Sequence, residues 1–310
     1  MVVNRLEAAT SLAPEPVAAK RTDVLSLVGD IKQLPTPPVV FTQINRVVNS
    51  PDASVYDVAR IIAEDPGMSA RTLRMANSAY YALPQPVSSV RQAIVILGMD
   101  AIKSLALSSA LLKTFTGYLA EPEFQNNFWR HSLATASAAR VLFGSRTSDR
   151  VIRGGEEGFT AGLLHDIGKL VMVCHLPDLR KKVRAHVQFG VVEDRFAEQD
   201  ALGVTHAEFG AVLAERWNLP VSLVSAIQYH HTPGSAPVGQ AHLAKIVHAA
   251  DYLAHWMADI QRPVERLLPL VEDEVMTEFG ITEETLPEIG AVVREEFGRS
   301  ETFLEMARMG

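Results

Sequence analysis

The stretch AGLLHDIGKL, residues 161 to 170, sets a histidine and an aspartate side by side in an apolar segment. The pattern around His165 and Asp166 predicts a buried helix. Adjacent side chains on a helix point about 100° apart, so both could reach one ion and its neighbour. The pair is therefore either part of a metal site or a polar pair held for structural reasons, and these ten residues do not decide between the two.

The histidines of the chain all lie between residues 131 and 255, and several of them, like Asp251, have mostly apolar or small neighbours. The chain has ten histidines, and burying each without a partner would cost roughly 1–3 kcal/mol. Imidazole and carboxylate groups together bind divalent transition metals, and helical bundles collect such ligands from several helices. A buried set of this size either satisfies its own polar groups mutually or coordinates an ion. The candidates for such a shared site are His131, His165, Asp166, His206, His230, His231 and Asp251. The other histidines are interpreted as structural or surface residues, namely His175, His186, His242, His248 and His255.

The composition limits the class of protein. The chain has 310 residues, of which 47% are hydrophobic, and it contains neither a long apolar run nor a signal-peptide pattern. It is therefore predicted to be a soluble, cytoplasmic protein without a membrane partner. A formal net charge of −7 provides no general attraction for nucleic acid. The single cysteine, Cys174, excludes an internal disulfide and a cysteine-based zinc site.

Helical periodicity dominates the chain, and the alternation typical of strands is rare. Prolines in LPTPP (34–38) and LPQP (83–86), together with Gly98, separate the predicted helices. We predict an all-α protein with a flexible tail at 1–22, a helical N-terminal part at 23–117, a helical core with the metal site at 118–260, and a C-terminal helical segment at 261–310. The acidic residues of that last segment are interpreted as solvated faces, Glu272, Glu274, Glu283, Glu284, Glu295 and Glu296 among them.

One N-terminal stretch, DPGMSARTLRMANSAYY at residues 65 to 81, superficially suits a DNA-reading helix-turn-helix. Arg71, Arg74 and Asn77 would then face the bases. The alternative is that the arginines form the solvated face of an amphipathic helix. The acidic charge of the whole chain favours the alternative, and nucleic acid is not expected as a partner.

The spacing of a histidine, a His-Asp pair and a later aspartate resembles the HD superfamily of metal-dependent phosphohydrolases. His131, His165, Asp166 and Asp251 occupy its four positions. The fuller pattern resembles the HDOD domain, a bacterial signal-output module related to the HD-GYP phosphodiesterases. The resemblance runs from Leu34 to Asp251, about 70% of the chain. It is carried by LPTPP, DPGMSARTLRMANSAYY, VSSVRQAIVILGMDAIKSLAL, FWRHS, AGLLHDIGKL, HAEFGAVLAERWNLP and AIQYHH.

The resemblance implies an HD-like multi-helix bundle with a helical N-terminal subdomain, and it favours a regulatory function, with an enzymatic function as the alternative. HDOD domains in general are regulatory and are not established as enzymes, which implies a signalling module that acts through protein partners. The HD-GYP relatives imply a phosphohydrolase acting on a nucleotide or phosphoester. In that case Asp166 would bridge two metal ions and Lys169 would face the substrate phosphate, as the catalytic residues.

The resemblance also implies the cofactor, one or two divalent transition-metal ions held by the seven predicted ligands. Iron or manganese suits this mixed ligand set better than magnesium does, with zinc and nickel as alternatives. Two features depart from the HD-GYP pattern. Thr232 follows the paired histidines where a glutamate is usual, with no Gly-Tyr-Pro loop after it, and Asn127 stands where some relatives place an acid. Hydrolysis of cyclic di-GMP is therefore doubtful.

Overall fold

The computed structural model describes residues 39–48, 50, 54–77, 81, 83–116, 122–144, 155–178, 181, 183, 194–261 and 271–308. The predicted tail at 1–22, the helix predicted from Asp23 and the LPTPP break lie outside this part, as does the predicted boundary at 117/118. The described residues form helices, turns and loops without a strand, so the all-α prediction is confirmed.

The α-helices, numbered in chain order, are α1 Val39–Val48, α2 Val55–Ala63, α3 Pro66–Ala76, α4 Val90–Leu97, α5 Met99–Thr116, α6 Pro122–Gly144, α7 Gly155–Leu164, α8 Ile167–His175, α9 Asp194–Leu202, α10 His206–Arg216, α11 Val221–Tyr229, α12 Ala241–Gln261, α13 Asp273–Glu278 and α14 Leu286–Arg308. A short 3-10 helix, Pro233–Ser235, lies between α11 and α12.

Local sequence signals explain where the N-terminal helices begin and end. Ser54 and Asp57 form a capping box at the start of α2, which satisfies backbone N–H groups that the helix leaves free. The side chain of Asp65 accepts a hydrogen bond from the Met68 backbone at the start of α3. Gly98, with φ +84°, separates α4 from α5 because the left-handed region favours glycine.

The structure corrects the interpretation of α3 as a helix with both arginines in solvent. Arg71 is buried, with 2% of its surface exposed, whereas Arg74 is exposed. The Asn77 side chain donates to the carbonyl oxygen of Val87 and accepts from the Val87 N–H. Arg71 is therefore not part of a solvated face, and Asn77 joins the end of α3 to the segment that precedes α4.

One hydrophobic core joins the N-terminal and C-terminal helices, and it runs from Phe41 on α1 to Val293 on α14. Helix α6 is central, because it packs against α7, α12 and α14. Helix α10 packs against α8 and α11. The ring centroid of Phe41 on α1 lies 6.2 Å from that of Trp217, the residue that follows α10. The N-terminal helices thus support the elements that carry the predicted site.

The C-terminal helix is fixed to this core by a buried ion-pair network. Arg140 on α6 lies 2.8 Å from carboxylate oxygens of both Glu156 on α7 and Glu296 on α14. Its guanidinium also stacks 3.9 Å above the Phe159 ring. Glu296 is therefore buried, and the interpretation of its side chain as part of a solvated face is wrong.

Among the described residues, no single helix is long and apolar enough to cross a membrane, although α4 and the first part of α5 pass by length and composition as a pair bent by 108°.

A close backbone approach fixes α8 against α10. A Cβ atom added at Gly168 would lie 2.7 Å from the Gly210 backbone nitrogen and still closer to the His206 carbonyl oxygen. Glycine is therefore required at this position, and it lets the backbone of α8 reach the first turn of α10.

We expect Gly168→Ala to destabilise the protein by about 3 kcal/mol, because backbone atoms cannot move aside as a flexible side chain can. Gly298→Ala is the matched control, since a Cβ atom there would meet nothing within 4 Å and should stabilise α14 by about 0.5–1 kcal/mol. Urea unfolding followed by circular dichroism measures both. Equal stability of the two variants would contradict the close approach.

Candidate metal centre

The seven predicted ligands come from five segments of the chain and lie together in one region of the fold. His131 lies on α6, His206 is the first residue of α10, and Asp251 lies on α12. His230 and His231 follow the last turn of α11. His165 and Asp166 occupy the break between α7 and α8. The expectation that this pair lies within one helix is thus wrong, and the break turns Asp166 toward the other ligands.

Four of these residues form the His131 cluster, which consists of His131, His165, Asp166 and Asp251. The Nε2 atom of His131 lies 3.1 Å from Asp251 Oδ1 and 3.3 Å from His165 Nε2. The Nε2 atom of His165 lies 3.4 Å from Asp166 Oδ2 and 3.6 Å from Asp251 Oδ1. Two imidazole nitrogens and two carboxylate oxygens therefore face a common centre.

The His206 cluster consists of Asp166, His206, His230 and His231. The Nε2 atom of His206 lies 3.1 Å from Asp166 Oδ1 and 3.0 Å from His231 Nε2. The Nε2 atom of His230 lies 3.9 Å from the same Asp166 oxygen. Asp166 thus belongs to both clusters, with Oδ2 facing the first and Oδ1 facing the second.

Hydrogen bonds on the outer side of three rings set their orientation. The Nδ1 atoms of His165 and His230 lie 2.7 Å from the carbonyl oxygens of Gly162 and Ile227. His206 Nδ1 lies 2.7 Å from a carboxylate oxygen of Glu198. These oxygens accept hydrogen bonds, so each Nδ1 carries a hydrogen, and Nε2 is the ring atom that faces the centre. This orientation is typical of metal-ligating histidines.

The centre is buried on one side, and some of its polar atoms lack hydrogen-bond partners. Asp166, His165, His206 and His230 are buried. Within the described part of the chain, three of the buried ligand atoms lack a hydrogen-bond partner: Asp166 Oδ1, His230 Nε2 and Asp251 Oδ1. Buried polar atoms are rarely left unsatisfied, and a cation coordinated by these atoms would satisfy them.

The charges of the centre agree with its need for a cation. Burial works against a charged His165, but the carboxylates of Asp166 and Asp251 raise its pKa to about 10. Burial likewise opposes a charged His206, and Glu198 and Asp166 raise its pKa to about 9. Positive charge is thus stabilised at the centre, either as protons on these rings or as a metal ion that replaces them.

Lys169 lies beside this centre, one turn along α8. Its Nζ atom lies 2.8 Å from Asp166 Oδ2 and 3.7 Å from Asp194 Oδ2. Burial opposes the charge, but the Asp166 carboxylate dominates and raises the lysine pKa above its ordinary value. The charged lysine, with 24% of its side chain exposed, therefore lies at the open edge of the site.

Two residues at the site were missed by the sequence analysis. Glu198 on α9 is buried and accepts from both the backbone N–H and the ring of His206; its distance of eight residues from His206 gave no motif. His255 lies 3.5 Å from Asp251 Oδ1, and its i+4 spacing on α12 was a signal available in the sequence. His248, by contrast, is structural as interpreted, because both ring nitrogens bond to backbone groups.

Geometry alone therefore allows divalent-metal binding in both clusters. His131, His165 and Asp166 form one group whose ligand atoms all lie within 4.8 Å of one another, and His206, His230 and His231 form another. The donor set of imidazole and carboxylate suits first-row transition metals.

Comparison with known proteins agrees with this fold. The sequence profile of the HDOD domain family matches residues 34–233, so the chain belongs to the HDOD family. A crystal structure of an HDOD domain protein of unknown function from Geobacter sulfurreducens has a TM-score of 0.69 at 24% identity, and the match covers 95% of this chain and 97% of that chain.

Two further relatives extend the comparison. A crystal structure of a provisionally named phosphohydrolase from Shewanella amazonensis SB2B has a TM-score of 0.64 at 28% identity, covering 92% of this chain and 94% of that chain. An uncharacterised protein of Treponema pallidum is 24% identical over 240 residues, which are 77% of this chain. The match spans only 45% of that curated relative.

We expect Glu198→Gln to weaken metal binding at the His206 cluster by about 10–100-fold, because a neutral amide accepts a weaker hydrogen bond from the ring and no longer increases its basicity as the carboxylate does. Binding at the His131 cluster should change little. Isothermal titration with manganese(II) measures both events, and Glu288→Gln on the exposed start of α14 is the control. An unchanged titration would show that Glu198 does not support a metal ligand.

Proposed function

We propose that this HDOD protein binds two divalent metal ions, one in each cluster, and uses the centre to hydrolyse a phosphoester. The observation that carries the proposal is the position of Asp166, whose two oxygens face two separate groups of imidazole nitrogens. A carboxylate between two such groups is the arrangement expected of a bridging ligand. Iron and manganese are the proposed metals, on the ground of the mixed donor set.

The residues of the chain divide the work of such a reaction. Two divalent ions would supply Lewis acidity toward phosphate oxygens and a water activated near neutral pH. Asp166, Asp251 and the histidines would bind the ions, and Glu198 orients the ring of His206. The buried side, formed by His165, His206 and His230, excludes bulk water and strengthens electrostatic interactions within the site.

The open edge determines where a substrate would enter. His131 and Lys169 have 21% and 24% of their side chains exposed, whereas Asp166 has 3%. A phosphate approaching from this edge would meet the ammonium group of Lys169 next to the bridging carboxylate. Lys169 would orient the phosphate and neutralise its charge as a flexible point charge. The net charge of −7 makes such local positive charge necessary for an anionic substrate.

The related Shewanella protein, at 28% identity, supports this proposal by its name, which describes a phosphohydrolase. A regulatory role of the HDOD family is compatible with it, and a protein partner and a cytoplasmic location stay predictions.

A second candidate is a metal-binding regulatory module without turnover. The observation that favours it is the ion pair of Lys169 with Asp166 and Asp194. The ammonium group that a phosphate would need is already neutralised by these two carboxylates. Thr232, which follows the paired histidines, provides no carboxylate beside the His206 cluster. In this case the metal centre would stabilise one arrangement of the helices for a partner.

We expect Asp166→Asn to abolish binding of both ions, because a neutral amide cannot bridge them, whereas His231→Ala should lose only the ion of the His206 cluster. Protein purified anaerobically with iron(II) or manganese(II) and analysed by plasma mass spectrometry gives the stoichiometry. Circular dichroism confirms that the variants fold. A wild-type protein that retains no metal under these conditions would overturn the proposal of a metal centre.

Turnover is tested with metal-loaded protein on bis-p-nitrophenyl phosphate and a panel of nucleotides and cyclic nucleotides. We expect Lys169→Met to reduce kcat/KM by about 100-fold at unchanged metal content, because it removes a charge that stabilises the transition state. Lys181→Met, at an exposed lysine paired with Asp178, is the matched control. Full metal loading without turnover on any substrate would favour the regulatory module instead.

A further inference from the structure

A third group of ligand atoms lies at the outer edge of the His131 cluster. His131, Asp251 and His255 offer ligand atoms that all lie within 4.8 Å of one another. The Nε2 atom of His255 is 3.5 Å from Asp251 Oδ1, and its ring centroid is 4.6 Å from that of His131. His255 belongs to neither of the two clusters described above.

The oxygen shared by this group is buried and short of a partner. Asp251 has 7% of its side chain exposed, and its Oδ1 atom has no hydrogen-bond partner among the described residues. The Nε2 atoms of His131, His165 and His255 lie 3.1, 3.6 and 3.5 Å from this oxygen. Protein nitrogen and oxygen ligands lie about 2.0–2.2 Å from a first-row ion, so neighbouring ligand atoms are separated by about 3 Å or more. The three distances fit ligands of one ion.

Helix geometry explains how α12 could supply two ligands. Asp251 and His255 are separated by four residues, so their side chains lie on the same face of the helix, one turn apart. Helical metal sites use this i, i+4 spacing to bind a single ion with two side chains. On α6, the position one turn before His131 is Asn127, which is exposed. Of α6 and α12, only α12 therefore places an ionisable side chain, His255, at the outer side of the cluster.

We propose that His255 is a further protein ligand of the ion bound by the His131 cluster, so that α12 holds this ion through both Asp251 and His255. The proposal rests on the metal centre of the proposed function and specifies its coordination. A fifth protein ligand at this ion leaves fewer positions for water or substrate than at the ion of the His206 cluster. The two ions thus differ in the number of protein ligands, five at the His131 cluster and four at the His206 cluster.

The test compares His255→Ala with His242→Ala, a histidine on the same helix that is exposed and contacts Phe143 instead of the centre. Both variants and the wild type are titrated with cobalt(II), with affinity measured by calorimetry and ligand geometry by the visible absorption spectrum. His255→Gln is added as a variant that keeps a polar side chain of similar length. His255 has 35% of its side chain exposed, so these variants are expected to fold.

We expect His255→Ala to weaken one of the two binding events at least tenfold and to change the cobalt(II) spectrum, while the other event and the His242→Ala control match the wild type. Two unchanged affinities with an unchanged spectrum would overturn the role of His255 and leave the metal centre intact. Equal loss of both ions in a folded variant would also overturn it, because that result indicates a structural role. If the wild type itself bound no metal, the proposed function would be overturned together with the role of His255. The wild-type titration distinguishes this outcome from a failure of the His255 proposal alone.

Discussion

The carboxylate of Asp166 is the group on which the arrangement of the site depends. It lies at a break between two helices, buried, with one oxygen facing His165 and the other facing His206. The rings around it are turned by hydrogen bonds to carbonyl and carboxylate oxygens. Ring nitrogens therefore converge on a negative group, and positive charge stabilises this arrangement, either as protons on the rings or as a metal ion. The surrounding helices can be understood as the scaffold that holds these groups together.

The sequence was sufficient for the helical class and for a set of candidate ligands, but it missed Glu198 and His255. Histidines spaced along an apolar chain had to share a centre, because burying them separately is costly, and the structure brings all seven predicted ligands to one place. The role of the site is a different matter, because ligand proximity does not specify turnover. The same limit applies to the metal, since the donor set is shared by several ions.

Three features were not accessible from sequence periodicity. The break at His165 and Asp166 lies inside an apolar run that periodicity describes as continuous helix. Glu198 is distant from any motif, and its role arises only when α9 packs beside α10. Arg71 and Glu296 were assigned to solvent because charged residues usually lie there. Burial of such residues depends on partners from distant parts of the chain, as Arg140 shows for Glu296, and a local pattern carries no information about them.

The network around Arg140 has a mechanical consequence for the whole molecule. Its guanidinium lies between a carboxylate of α7 and one of α14, and α7 ends immediately before His165. If α14 moved away, the buried guanidinium of Arg140 would lose the carboxylate of Glu296. Leaving a buried charge with one partner fewer is unfavourable, so the ion pairs hold α14 against α6. One side chain thus ties the last helix to the start of the helix that ends at the central pair, so the position of α14 and the position of α7 are energetically linked.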